Sequence, residues 1–413
     1  MASPPVFIFL LGLIFVLSVN LLPRTYRTYL AALMPVETIT PTDLAGAYAR
    51  RNLKILLVPG HDNVDWGTEY YGIREADLNI ELAEDIYNIL ATDGHFKVFT
   101  TRDFKNGEYT PVFANYFASQ EGSILNFRGQ LMERITNALL RGEFKLNPTA
   151  DHVLPYRIAQ KLYGINKWSN ENDIDITLHI HFNDHGGRWY DRYGDYEGFT
   201  IYIPEYQFSS SRASRELAQS IFSRLKKNFA VSTLPQEQQG ITEDQDIIAT
   251  GAKGSLDGVG LLIEYGYIYE PQFAHDNVRN LIFHELAHQT YTGLKTYFDF
   301  DSNLSDSTLL PYAWKTTLKK GIKGNKDVLA LQAALRAEGL YPPPGKSLSD
   351  CSLTGNFGPC TEIAVKRFQE KYSAEILAPA GYRTGTGLVG SLTLQKLNEL
   401  YGARRTGNIT RSF

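Results

Sequence analysis

Short apolar runs alternate with amphipathic stretches through most of the chain. Leu53 to Val58, broken only by Lys54, closes on Pro59-Gly60, and Phe96 to Thr101, Ile174 to Ile180, Gly198 to Ile203 and Val259 to Ile263 repeat its form. Runs of this length between turn residues predict strands with both faces covered. Between them Leu78, Leu82, Ile86 and Leu90 step by four, and Ser211 to Phe229 and Asn277 to Tyr297 keep the same helical period. Strands alternating with helices predict an α/β body, a largely parallel sheet flanked by helices, over residues 50–298.

The two ends read differently. Val6 to Leu22 carries no charge and is interrupted only by Gly12, Ser18 and Asn20. An apolar run at this position and of this length predicts an N-terminal hydrophobic helix, residues 1–24, acting as a signal anchor or a transmembrane helix. Arg24 and Arg27 follow the run and no Lys or Arg precedes it, the reverse of the positive-inside pattern for an exported body. Past the body, Asp299 to Asp306 is acidic and Lys315 to Lys326 basic, a shift that marks 299–323 as a linker. Val328, Leu331 and Leu335 then resume a helical period, opening a small all-α C-terminal domain, residues 324–402.

Composition narrows the chemistry. With 413 residues, 43% hydrophobic and 21% charged, the chain is globular and long enough for two to four domains. A net charge of −4 gives no basic excess that would call for nucleic acid. Residues 324–413 hold 11 Lys+Arg against 7 Asp+Glu, so a tail of +4 is joined to a remainder of −8. A basic module on an acidic body suits an acidic polymer, although so small an excess also fits an ordinary solvated surface. The two cysteines, Cys351 and Cys360, exclude thiolate-rich metal folds and leave His and carboxylate as the metal ligands available.

In a parallel sheet, chemistry gathers beyond the carboxyl ends of the strands. His61 stands just past the first strand, His181 ends Asp175-Ile-Thr-Leu-His-Ile-His181, and Glu264 closes Val259-Gly-Leu-Leu-Ile-Glu264. Glu75, three before Leu78 and seven before Leu82, shares the apolar face of its helix. A carboxylate on that face needs a cation or a donor. Two imidazoles and one carboxylate make the His₂Glu set of a catalytic zinc site, with Glu264 nearby as base. A competing set lies further on. His284-Glu285-Leu-Ala-His288 is a complete H-E-x-x-H on a helical stretch, the pattern of zinc metallopeptidases. Its third ligand is missing, since Tyr291 and Leu294 occupy the Gly and His positions of the extended form and no Glu falls between Glu285 and Glu338. We read His284 and His288 as helix-surface residues.

Four ordered segments between Leu53 and Phe298 resemble the zinc-dependent N-acetylmuramoyl-L-alanine amidases that cut peptidoglycan. They are Pro59-Gly60-His61 with Asp65, Gly67 and the run from Glu75 to Ala83; Thr101-Arg102-Asp103; Asp175 to Asn183; and Leu262-Ile-Glu-Tyr-Gly-Tyr267. The resemblance implies Zn²⁺ on His61, Glu75 and His181 and the general-base role on Glu264. Strand alternation turns His179 and His181 to one side, so either suits a metal by chemistry. Asn183, two residues on, favours His181 and leaves His179 as a hydrogen-bond partner or a packed residue. Asp62-Asn63 replace the Gly-Gly usual in the family. Glu108 to His152 reads as an insertion, either a surface excursion or a gate that brings Glu121, Glu133 or Glu143 to the metal. The tail, with Gln332, Gly355-Asn-Phe-Gly358, Thr361, Gln369, Gly387-Leu-Val-Gly390 and Thr393, resembles the small helical peptidoglycan-binding domain. Cys351 and Cys360, nine apart in one of its loops, suggest a disulfide and an oxidising compartment, two buried thiols being the alternative. Together these imply a cell-envelope hydrolase with peptidoglycan as partner, held to the membrane by its N-terminal helix or secreted. The other readings are an H-E-x-x-H peptidase, a wall-binding protein without turnover, and an amidase with a different peptide substrate.

Overall fold

Alternate residues of the first strand enter two different cores. Leu53, Ile55 and Leu57 pack with Leu78, Leu82, Ile86 and Leu90 on one face of the sheet. Leu56 and Val58 pack on the other with Ile165, Trp168 and Phe113. This is the period-two alternation of a strand covered on both sides. Each such fully buried Leu or Ile contributes roughly 1.5–3 kcal/mol by leaving water.

The computed structural model describes residues 38–146, 154–299 and 304–402. The apolar segment 1–24 lies outside them, and among the described residues no helix is long and apolar enough to cross a membrane. In chain order the body comprises α1 (Pro41–Ala49), β1 (Leu53–Pro59), β2 (Glu69–Tyr70), β3 (Ile73–Arg74), α2 (Glu75–Thr92) and β4 (Phe96–Thr100). There follow α3 (Pro111–Ser119), α4 (Glu121–Leu140), α5 (Tyr156–Glu171), β5 (Ile176–Asn183), β6 (Thr200–Pro204), α6 (Ser211–Leu225), β7 (Ile241–Asp244), β8 (Val259–Tyr267) and α7 (Asp276–Phe298). The main sheet has the order β4-β1-β5-β8-β6-β7. Every neighbouring pair is parallel except β6, which runs antiparallel to β8.

The predicted strands are found, with shifted ends. β5 continues to Asn183 and β8 to Tyr267 because the two stay paired to the Asn183–Tyr267 rung, past an irregularity after His181. His181 and Glu264 therefore lie inside their strands, facing each other as ladder partners. The short β2–β3 hairpin is too brief for a hydrophobic period to reveal. Helices α2, α6 and α7 cover one face of the sheet. Gly293 of α7 sits so near α6 that a Cβ there would lie 2.5 Å from Ile221 Cα.

The segment from Glu108 onward folds as α3 and α4, which lie on α5 through Phe113, Ile124 and Leu131. Gly164 of α5 makes room for the rings and branches of Phe117 and Ile124. Glu121 takes a hydrogen bond from Gln160 and Glu143 pairs with Arg141. Both, like Glu133, are exposed at the surface.

The C-terminal module comprises α8 (Lys326–Ala337), α9 (Pro359–Lys371), α10 (Ser373–Ile376) and α11 (Ser391–Tyr401). One hydrogen-bond network occurs in it twice. Gln332 Oε1 accepts from the amides of Thr354 and Gly355, and its Nε2 donates to Asn356 O and Thr361 Oγ1. Gln369 does the same with Thr386, Gly387, Leu388 O and Thr393 Oγ1. Each buried amide closes a Thr-Gly turn onto the start of the next helix, which is why Thr, Gly and Gln recur at matched spacing. Cys351, in the loop between α8 and α9, is disulfide-bonded to Cys360 in the first turn of α9.

Residues 304–323, which the composition marks as a linker, are packed. Leu309, Trp314 and Leu318 are buried, and Trp314 Nε1 donates to Asp327 O at 2.9 Å. Glu285 of α7 ties this segment to the body. Its Oε2 accepts from Thr308 N (2.7 Å), Thr308 Oγ1 (2.7 Å) and Ser307 Oγ (3.1 Å), and its Oε1 from Asn228 Nδ2 (2.6 Å) and Gln289 Nε2 (2.8 Å). Replacing Glu285 by Ala removes the acceptor shared by the buried Gln289 and the half-buried Asn228 and Ser307, so Glu285→Ala is expected to lower stability by about 1–3 kcal/mol in denaturant titration. His284→Ala, losing one exposed ion pair, is expected to cost about 0.5 kcal/mol or less in the same titration.

Candidate functional site

The polypeptide turns sharply as it leaves β1. Gly60 N–H still donates to Ile180 O at 2.9 Å, extending the ladder with β5, and His61 then takes φ +61°, a left-handed conformation that strains a residue with a side chain. The Gly60 carbonyl is pinned by Asn79 Nδ2 at 3.0 Å and by the buried Arg102 guanidinium at 3.2 Å. A Cβ on Gly60 would fall 2.2 Å from the His181 ring, so the absence of a side chain makes the space that ring fills. Gly67, at φ +75°, performs the same service, since a Cβ there would lie 2.3 Å from Glu75 Oε2 and 2.7 Å from the His61 ring.

Into this space three side chains converge. Glu75, the first residue of α2 and 5% exposed, reaches His61 Nε2 with Oε2 at 3.1 Å and His181 Nδ1 with Oε1 at 2.9 Å. Thr68 N–H adds a bond to Oε2 at 3.2 Å. One ligand atom from each of His61, Glu75 and His181 lies within 4.8 Å of the others. The N-terminal end of a helix also favours negative charge. Burial alone would raise the Glu75 carboxyl, but the hydrogen bonds and charges of His181 and His61 hold it well below the usual carboxylate range. For His181 burial prevails over Glu75 and lowers the imidazole, keeping it neutral and able to ligate. For His61 burial is outweighed by Glu75, Asp65 and Asp62, and its pKa is raised.

Glu264 completes the group. It shares a cavity of about 390 Å³ with His61 and His181, and its Oε2 is fully buried without a hydrogen-bond partner in the protein. Burial, reinforced by the charges of Glu75 and Glu237, raises its carboxyl well above the ordinary range. A buried, unsatisfied carboxyl beside a nest of atoms able to hold a metal is an arrangement that a cation and a reacting water would satisfy. The donor set of two ring nitrogens and a carboxylate, with one open side onto a cavity, fits a catalytic zinc ion.

All four residues singled out from the sequence thus meet at one place. His179 lines the cavity deeper in, fully buried, with neither ring nitrogen hydrogen-bonded. It is a packed residue held neutral by burial and by His181 beside it, and it lies apart from the Glu75 contacts. Among the described residues the cluster of possible ligand atoms consists of His61, Glu75 and His181, and the exposed Glu121, Glu133 and Glu143 are not part of it. The H-E-x-x-H residues do not converge. His284 is exposed and paired with Asp85 at 3.0 Å, His288 bonds Ser305 O at 2.7 Å, and Glu285 points into the packed segment that follows α7.

Several residues at the site carried no clear sequence signal. Asn79 follows Glu75 by four on the same helix face, a spacing that could have revealed it. Lys161 of α5 is ion-paired with Asp62 at the cavity wall, and Asp62 stands where the resemblance expects glycine. Glu237, in an irregular stretch, accepts from Asn183 Nδ2 (3.2 Å) and Tyr202 Oη (2.5 Å), both of which line the cavity. Nothing in its local sequence distinguishes it.

Residues 55–296 match the family model described as N-acetylmuramoyl-L-alanine amidase, and residues 324–375 match the model of a peptidoglycan binding domain. No curated protein matches the chain by sequence. Among solved structures it is similar to the N-acetylmuramoyl-L-alanine amidase from Clostridium difficile 630, with 17% identity, a TM-score of 0.38 and coverage of 60% of this chain and 98% of that one. Ami1, the N-acetylmuramyl-L-alanine amidase from Mycobacterium smegmatis, is similar at 14% identity and a TM-score of 0.39, covering 60% and 98% of the two chains. The catalytic domain of CwlV from Bacillus (Paenibacillus) polymyxa var. colistinus is similar at 13% identity and a TM-score of 0.37, with the same coverage. Since the amidase model spans more than half of its residues, the chain belongs to the N-acetylmuramoyl-L-alanine amidase family.

Proposed function

We propose that the protein hydrolyses the amide between N-acetylmuramic acid and L-alanine of peptidoglycan as a zinc enzyme, with His61, Glu75 and His181 holding the ion and Glu264 moving the proton. The observation that carries this reading is the unsatisfied carboxyl of Glu264 in the cavity onto which His61 and His181 open. When bound, the ion supplies Lewis acidity toward the scissile carbonyl and lowers the pKa of a water to about 7. Glu264 takes the proton of the attacking water and delivers it to the leaving nitrogen of L-alanine. Positive charge held by His61, Glu75 and His181 would favour the ionised form of Glu264 and offset the effect of burial. Gly60 and Gly67 keep the ligands in register, while Asn79 and Arg102 hold the turn that aims His61. The C-terminal module retains the enzyme on the wall and raises the local concentration of substrate. A place outside the cytoplasm is supported by the Cys351–Cys360 disulfide and by the substrate itself. The uncharged run from Val6 to Leu22 supports export or anchoring.

Digestion of purified sacculi should release new L-alanine amino groups, and chelation should abolish this. Persistence after chelation would refute the zinc mechanism. Glu264→Gln is expected to keep the metal, measured by elemental analysis, and to lose about 10²–10⁴-fold in kcat. His61→Ala should lose both metal and activity, whereas His284→Ala should keep both. Since His61 has a raised pKa, protons compete with the ion there as pH falls. Zinc affinity should drop by up to about tenfold per pH unit below that pKa, as calorimetry between roughly pH 6 and pH 8 would reveal. Gly60→Ala is expected to displace His181 and weaken zinc binding at least about tenfold in the same measurement.

A further inference from the structure

Two loops carry a cluster of exposed rings beside the metal-binding group. Trp66, Tyr71, Trp189, Tyr190 and Tyr193 are 41–74% exposed, and they include two of the four tryptophans in the chain. The first loop is continuous with the site. Trp66 O accepts from Ala76 N at 3.1 Å at the start of α2, and the next residue, Gly67, lies against Glu75 and His61. The second loop leaves β5 directly after Asn183, a cavity residue.

These loops are fastened to each other, so the exposure belongs to a built surface. Arg188 donates to Asp184 Oδ1 (2.7 Å), Glu69 O (2.9 Å) and Trp189 O (3.1 Å), and its guanidinium lies 5.5 Å over Tyr70 and 5.1 Å over Tyr269. Tyr71 N–H donates to Tyr190 O at 3.2 Å, and Tyr70 packs on Tyr193 at 5.6 Å between ring centres. None of the five exposed rings lines the cavity, although Asp65, next to Trp66, and Asn183, where the second loop begins, do.

We propose that this aromatic surface is the docking site for the glycan strand of the substrate, with the stem peptide directed into the cavity. The inference rests on the amidase reading, which requires a sugar on one side of the reacting bond and a peptide on the other. A pyranose offers a flat C–H face to the negative face of an aromatic ring and hydroxyl groups to Tyr Oη and Trp Nε1, so amphipathic rings suit it better than aliphatic chains do. A membrane surface also attracts Trp and Tyr. The second loop, however, carries Asp184, Asp191 and Asp195 against Arg188 and Arg192, Arg188 is committed to Asp184, and the first loop adds Asp65 and Glu69. An acidic fringe repels an anionic bilayer and leaves an uncharged glycan unaffected.

The test uses the full-length chain, its Tyr71→Ala/Trp189→Ala variant and Trp189→Phe. Substrates are a muramyl peptide with one sugar and the same peptide on a tetrasaccharide. The KM advantage of the longer substrate should shrink about tenfold in the double variant and be largely kept by Trp189→Phe, which retains a stacking face. Binding of a tetrasaccharide of N-acetylglucosamine, which carries no carboxylate, followed by tryptophan fluorescence, should weaken in parallel. An unchanged advantage, or a Phe variant as impaired as the double variant, overturns the proposal. So does a loss confined to binding of phosphatidylglycerol vesicles, which assigns the surface to the membrane. If the unaltered chain cuts neither substrate, the amidase reading fails, and the tetrasaccharide titration alone still decides whether the rings bind glycan.

Discussion

The buried carboxylate of Glu75, held between two imidazoles at the first turn of a helix, is the constraint on which the rest of the site depends. Removing a carboxylate from water is costly unless charge and hydrogen bonds replace the solvent. Here His61, His181 and the amide of Thr68 do so, and the helix terminus adds its partial positive charge. The requirement propagates outward. The His181 ring can reach Glu75 because Gly60 has no Cβ, and Gly60 keeps its place because Asn79 and Arg102 bind its carbonyl. Arg102 in turn is fixed by Gly107 O at 2.8 Å, so the loop after β4 supports the loop after β1.

The joining of body and C-terminal module follows the same physics with a different result. Glu285 is as buried as Glu75, yet its oxygens are saturated by Thr308, Ser307, Asn228 and Gln289. A carboxylate fully satisfied by donors has nothing left for a cation, whereas Glu264 retains an unsatisfied oxygen and faces a cavity. Burial alone does not separate a structural acid from a reactive one. The accounting of each oxygen does.

Strands β1, β5, β6 and β8 were legible because their covered faces demand apolar runs, the edge strand β4 was legible although Lys97 and Phe99 are exposed, and His61, His181 and Glu264 were legible because they sit where such runs end. Glu75 emerged from helical spacing and from the resemblance to the amidases. Other features left no such imprint. The hairpin β2–β3 has two residues per strand, too few for a period, and β7 is held by pairing with β6 rather than by an apolar run. Glu237 and Lys161 act through contacts 54 and 99 residues away in sequence, which no local pattern encodes. The stretch 304–323 read as a linker because its charged ends dominate the composition, while Leu309, Trp314 and Leu318 anchor it from inside.

The reversed direction of β6 has a topological consequence for where the chain can place substrate-facing residues. Had β6 run parallel to β8, the chain leaving β5 would have needed to cross the sheet and begin again at its far edge, as every parallel connection does. Antiparallel entry lets the chain start β6 at the edge where β5 finished, with Thr200 level with Glu264. Residues 184–199 are thereby released from any crossover duty, and the exposed part of the segment, around Trp189 to Tyr193, begins and ends at one edge of the sheet. One inverted strand thus converts what would have been scaffold into surface available for recognition.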